Sequence, residues 1–206
     1  MRILSIALVL LALSPAAALC QGPPTPRPRR DISASIGGFM ADHPVSRYRT
    51  WSTWSGGLFK GVAGGYYWTD HLKTEVEVAA SGETDAYADY TYPAYAYSYD
   101  HHYYRDVLVS AAQVYQFGRN AFFHPFVSAG LDIDRERDET ERTVFGYPGN
   151  RVTTERTDTA VRARPFEAAG FKAYFSERVF FRMDTKAGFR NRLDQVTWKI
   201  GFGVDF

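Results

Sequence analysis

The sequence predicts an all-β chain: an eight-stranded antiparallel up-and-down transmembrane β-barrel with a filled interior. Three observations predict it. Beyond residue 30 no apolar run approaches the roughly 18 residues that a membrane helix needs. Segments instead alternate apolar and polar residues, the period of two that points successive side chains of a strand to opposite faces. The links between them are short and long in turn, which returns both ends of an antiparallel chain to one side. Composition narrows the rest. A chain of 206 residues sets one domain as the default, and 45% hydrophobic with 16% aromatic content is ample for a packed structure. A net charge of +1 offers no bulk attraction to nucleic acid, and one cysteine excludes a disulfide framework or a Cys-based zinc site.

Taken in order, residues 1–20 carry one basic residue, Arg2, an apolar stretch to Leu13, and Ala16-Ala17-Ala18 ahead of a cleavage point. This is the layout of an export signal peptide. Leu19 before Cys20 does not suit a lipid-modified cysteine. Residues 21–30 (QGPPTPRPRR), rich in proline and arginine, form an extended spacer, a periplasmic tail. The barrel is expected over 31–206. Ile32, Ala34, Ile36 and Met40 alternate with Ser33, Ser35 and Gly37; Leu72, Thr74, Val76 and Val78 alternate with Lys73, Glu75, Glu77 and Ser81. Phe123, Val127, Ala129, Leu131 and Ile133 alternate with His124, Ser128, Asp132 and Asp134. Val179, Phe181, Met183 and Ala187 alternate with Arg178, Arg182, Asp184 and Lys186, and Trp198, Ile200, Phe202, Val204 and Phe206 with Thr197, Lys199 and Asp205. Residues 58–69, 105–117 and 162–175 complete the eight. In the last of these Glu167 and Lys172 fall on opposite faces, so a bulge that resets the alternation is expected there.

Eight antiparallel strands must close or be covered, and closure at eight leaves an interior that side chains fill. Lys73, Arg178, Arg182, Lys186 and Lys199 stand against Glu75, Glu77, Asp132, Asp134 and Asp184 on the polar face, five charges of each sign. Balance of this kind suits a narrow lumen, where an isolated buried charge costs several kcal/mol or more. The mean hydropathy of -0.32 agrees with such a barrel, since only every second strand residue meets lipid.

The final segment, with Trp198, Phe202 and the terminal Phe206 on one face, resembles the C-terminal strand of outer-membrane barrels, whose last aromatic is read by the barrel insertion machinery. With HPFVSAGLDI at 124–133 and FKAYFSERVFFRMD at 171–184, residues 31–206 are similar to the OmpA/OmpX-type small outer-membrane β-barrel family. The resemblance implies a Gram-negative outer-membrane protein of the cell envelope, in contact with lipid, with both termini periplasmic, a monomer without cofactor or metal. The peptidoglycan-binding domain of some members has no counterpart after Phe206, so a wall-anchoring role is not expected.

Function is then expected in the surface loops. Residues 84–104 hold eight tyrosines, among them Tyr87, Tyr90, Tyr92, Tyr95, Tyr97 and Tyr99. Tyrosine joins a rigid ring to a hydrogen-bonding tip, which suits a contact surface for an extracellular glycan or protein ligand. The same residues also fit strands extended past the lipid with an interfacial aromatic belt. Asp100-His101-His102 is a poor metal site, because neighbours in a strand point opposite ways. Pro148-Gly149 suits a type II turn. Folding there sets Phe145 opposite Val152, Arg142 opposite Glu155 and Glu141 opposite Arg156, a hairpin projecting beyond the membrane. The expected role is non-enzymatic: envelope integrity or surface contact. A lipid-modifying barrel enzyme would need a serine near His43, His71, His101, His102 or His124, and a soluble lipocalin-like binder would turn its apolar face inward.

Overall fold

In a computed structural model of the protein the described residues are 29–43, 53–82, 84–91, 97–117, 122–146 and 150–206. The expected signal peptide and most of the proline-rich tail lie outside them. Among the described residues nine strands form one antiparallel sheet: β1 (Arg30–His43), β2 (Thr53–Tyr67), β3 (Leu72–Ser81), β4 (Thr84–Thr91), β5 (Tyr97–Gln116), β6 (Phe123–Gly146), β7 (Asn150–Tyr174), β8 (Val179–Phe189) and β9 (Leu193–Asp205). β3 pairs with the second half of β5 and β4 with its first half, so the two lie end to end as one stave. The β3–β5 pairing closes the sheet into a barrel of eight staves.

Closure can be followed residue by residue. From Val107 the partners run through Ala80, Lys60, Ile36, Ile200, Met183, Phe171 and Pro125 and return to the same stave at Phe117, ten residues from the start. A ten-residue stagger over eight staves tilts the strands by roughly 40°. The ends of β1 and β9 meet at one end of the barrel, the near end, where Arg30 and Phe206 exchange backbone hydrogen bonds of 2.8 and 3.0 Å. The turns 68–71 and 175–178 lie there too, with Phe117 and Phe122. In the first, Thr69 Oγ1 accepts from the backbone amides of His71 and Leu72. At the opposite, far end Asn191, with φ of 66°, turns β8 into β9, a left-handed conformation that asparagine tolerates.

The alternation seen in the sequence becomes inside and outside, as the burial pattern eBBiBeBeBeBeB of β9 illustrates. Outward, Ile36, Val62, Val76, Val109, Ile133, Met183 and Ile200 are exposed and form an apolar band. Its near edge is aromatic: Phe123, Phe171, Phe181, Phe202 and Phe175 touch in series across β6 to β9, with ring centroids 5.1–6.3 Å apart. Its far edge on β5 and β6 is basic. Arg105 lies directly opposite Arg137, and Arg135 opposite Val107.

Three expectations are corrected. No bulge interrupts residues 162–175: β7 keeps an unbroken register with β6 and, from Phe166 on, with β8. Glu167 simply faces outward. The stretches 82–104 and 135–161 are strand over most of their length, because β4 to β7 continue beyond the closed barrel as a four-stranded sheet. In β7 the strand character was hidden because residues 151–159 are exposed on both sides and offer no buried face to pattern. Finally, the β6–β7 hairpin is one residue out of the expected register. Gly146 pairs with Asn150, which sets Val144 opposite Val152, Phe145 opposite Arg151, Arg142 opposite Thr154 and Glu141 opposite Glu155. Three residues rather than two separate the strands, and the expected turn at Pro148-Gly149 lies outside the described residues. Arg137 to Glu139 at 2.6 Å and Arg156 to Asp158 at 2.9 Å pair along single strands, and Arg162 to Glu136 at 2.9 Å crosses from β7 to β6.

Candidate functional site

Among the described residues six bases are buried inside the barrel, Lys73, Arg164, Lys172, Arg182, Lys186 and Lys199, with nine acids, Asp31, Glu75, Glu77, Asp132, Asp134, Glu136, Asp184, Asp194 and Asp205. All sit on strands whose register aims them inward, and they stack in tiers along the axis.

At the near end Asp31 on β1 accepts from Lys73 of β3 at 2.8 Å and Lys172 of β7 at 2.5 Å. Lys172 also donates to the Tyr67 hydroxyl at 2.8 Å and lies 3.8 Å above the Phe180 ring, while Tyr174 donates to Asp205 at 2.6 Å. A Cβ on Gly203 would overlap that Phe180 ring and approach the Ile32 carbonyl to 2.6 Å, so the glycine makes room for the floor under Lys172.

The middle tier spans the bore. Arg182 on β8 reaches Glu75 on the diametrically opposite stave β3 at 2.7 Å, and holds Asp184 at 2.7 Å. Glu75 also meets Lys73 at 2.5 Å, which links the two tiers. Lys199 on β9 meets Glu77 of β3 at 2.6 and 2.7 Å, and Lys186 meets Asp132 at 2.8 Å beneath the Ser110 hydroxyl. The rings of Phe126 and Phe166 back Arg182 and Lys186 at 4.9 and 4.7 Å. Cations held between carboxylates and ring faces have their charge met from several directions, which burial demands.

The far tier is lopsided. Arg164 gathers Asp134, Glu136, Asp194 and Gln195, Arg162 reaches Glu136 at 2.9 Å, and Arg190 binds Asp194. Facing this group from β1, β2, β3 and β5 is an apolar cluster of Phe39, Ala41, Phe59, Ala79 and Leu108. The far end of the bore is charged on one wall and greasy on the other.

Nine of the ten expected lumen residues thus lie in this network. Arg178 does not: it is exposed in the turn before β8, where its amide faces Ser176. The reading missed Asp31, Glu136, Arg164, Lys172, Asp194 and Asp205. Asp31 and Asp205 share parity with Ser33 and Lys199, so the signal was present. Arg164 and Lys172 were lost because the outward Glu167 made the alternation of β7 look broken. The expected five-to-five balance becomes an acidic excess.

Of the tyrosines, Tyr87 and Tyr90 lie on β4 and Tyr97 and Tyr99 on β5, in the projecting sheet, with Tyr90 opposite Tyr99 and Tyr97 opposite Phe145 in the backbone register. Tyr92 and Tyr95, and the side chains of the other four, lie outside the described residues, as do those of His43, His101 and His102. His71 engages the Gln116 carbonyl at 2.9 Å, and His124 packs edge-on against Tyr174, both at the near end. Trp198, Phe202 and Phe206 face outward and are 45%, 61% and 57% exposed. The Trp198 ring lies over Gly38 across the β1–β9 pair. Among the described residues no group of acids, histidines or cysteines could hold a metal ion.

A closed barrel with an apolar outer band, aromatic and basic edges and a charge-filled bore defines a small transmembrane β-barrel. The sequence matches the outer membrane protein beta-barrel domain over residues 4–206, and the chain belongs to that family, whose members sit in the outer-membrane bilayer. No curated protein matches it. Among solved structures it is similar to the N-terminal β-barrel domain of Pseudomonas aeruginosa OprF, with a TM-score of 0.53 and 16% identity over 87% of this chain and 99% of that one. Neisserial surface protein A is similar with a TM-score of 0.55 and 13% identity over 86% and 97%, and Pseudomonas aeruginosa OprG with 0.53 and 11% over 87% and 97%. At these identities the likeness is one of fold.

Proposed function

We propose that this protein is a non-enzymatic component of the outer membrane, a barrel closed by its own ion pairs that supports the envelope and offers its projecting sheet for surface contact. Both termini face the periplasm in this reading, so β4 to β7 extend outside the cell. Trp198, Phe202 and Phe206 serve the insertion machinery during assembly, and a glycan or protein ligand meets the tyrosine-bearing strands β4 and β5.

The observation that carries the reading is the Arg182–Glu75 pair across the full width of the bore, flanked by Lys199–Glu77 and tied to the near tier through Lys73. The cavity beside the bridge, lined by Glu75, Glu77, Arg182, Asp184, Lys186 and Lys199, is about 10 Å³, the space of a single water and too little for a continuous file of them. Reconstituted in planar bilayers, the wild type is expected to pass no stepwise current. Glu75→Ala with Arg182→Ala is expected to admit small ions. Porin-like steps from the wild type would overturn the plug. Surface protease treatment of whole cells tests the orientation, with cleavage expected within residues 147–149 and none in the 68–71 turn.

A further inference from the structure

Glu167 has no place in the lumen and no partner acid or base beside it on the barrel. It faces outward from β7, directly between Ala129 of β6 and Ala187 of β8, and is exposed. One other described residue of the outer band carries a charge: Lys60, exposed on β2 between Ile36 and Ala80. The register gives their heights. With about 2.5 Å of axial rise per residue and about 3 Å per stave for strands tilted near 40°, Lys60 stands about 18 Å and Glu167 about 16 Å above Phe117. Both lie well inside an apolar band of about 25 Å.

A charged side chain at that depth is costly, and its default meaning is a functional contact with a partner. Lysine has a long stem that can lift its ammonium toward the headgroups. Glutamate at this height is too short to do so. The two residues are also placed for each other. In the closed order of staves β2 and β7 are four apart in either direction, on diametrically opposite walls. Small residues surround Glu167, namely Ala129, Ala169 and Ala187, and let a membrane-embedded surface approach it closely, while Lys60 stands out from an apolar surface of Leu58, Val62 and Ile36 with Ala80 beside it.

We propose that Lys60 of one copy docks against Glu167 of the next within the bilayer, so that the protein assembles side by side. All copies share one orientation in the membrane, and the matched depths meet without tilting. The contact is head-to-tail between opposite walls, so it propagates as a row and does not close as a two-fold dimer. It departs from the monomer implied by the family resemblance. It requires that the chain lie in a bilayer and is independent of the plug and of the surface-contact role.

The test uses the full exported chain reconstituted in phospholipid bilayers, with a fluorophore at residue 148 for single-molecule photobleaching. A carbodiimide that partitions into the membrane joins a lysine amine to a glutamate carboxylate in contact. Wild-type particles are expected to bleach in several steps and to yield a ladder whose cross-linked peptide joins Lys60 to Glu167. Glu167→Gln and Lys60→Glu are expected to bleach in one step, and the double swap Lys60→Glu with Glu167→Lys to regain several. Single-step bleaching of the wild type, or multi-step bleaching that survives in Glu167→Gln, overturns the proposal. The neutral Gln variant suits lipid better than glutamate does, and unchanged heat-modifiable gel migration identifies it as folded.

Discussion

Arg182 concentrates the energetics of the interior in one side chain. It bridges the bore to Glu75 and pairs with Asp184 while stacked on Phe126. Replacing it with methionine keeps most of the volume but leaves two buried carboxylates short of a cation, a loss of about 3–5 kcal/mol. Urea unfolding of the barrel in lipid vesicles is expected to register that loss. Adding Glu75→Gln is expected to recover a good part of it, since the pair is removed rather than broken. At this scale the sequence was a good guide wherever a residue sat in an unbroken alternation, as Lys73, Glu75 and Glu77 do. It failed for Arg178, whose parity is that of Arg182 but whose backbone has already entered the turn. Parity says which way a residue points and nothing about where the strand ends.

Among the elements, the β6–β7 hairpin separates what pattern can and cannot specify. Its existence was legible from two polar, strand-like runs about a Pro-Gly pair. Its register was not, because a strand exposed on both faces has no apolar set that a one-residue slip would misplace. The observed pairing predicts that Val144→Cys with Val152→Cys oxidises readily to an intramolecular disulfide, as directly opposed strand residues lie within bridging distance. Phe145→Cys with Val152→Cys, one position off, is expected to stay reduced under the same conditions. Mass spectrometry of the non-reduced protein distinguishes them. β7 carries the same lesson inward. Glu167 argued for a bulge because a charge facing lipid looked like an error in the alternation, whereas the register continues straight through it.

For the whole molecule, strand count and closure were written in the alternation and in the lengths of the links, and the sense of the two faces in the likeness of the terminal strand, with Trp198, Phe202 and Phe206, to those of outer-membrane barrels. The tiers of the lumen were not, because they depend on which residues of distant staves reach the same height. Asp31 and Lys172 are 141 positions apart in the chain yet 2.5 Å apart in the bore. A sheet tied across its middle in this way is expected to resist detergent until heated, so unboiled and boiled samples should migrate differently in SDS gels. A sample that migrates identically before and after boiling would speak against closure.

The ten-residue stagger has a consequence for how the barrel holds its size. Stave number and stagger together fix the circumference of the rim. Arg182, Lys199 and their carboxylates are spokes cut to the matching length. The diameter is therefore specified twice, once by backbone pairing and once by side-chain reach. A slip of two residues at any one pairing keeps every face correct and still leaves the spokes too long or too short, so the hub checks the rim.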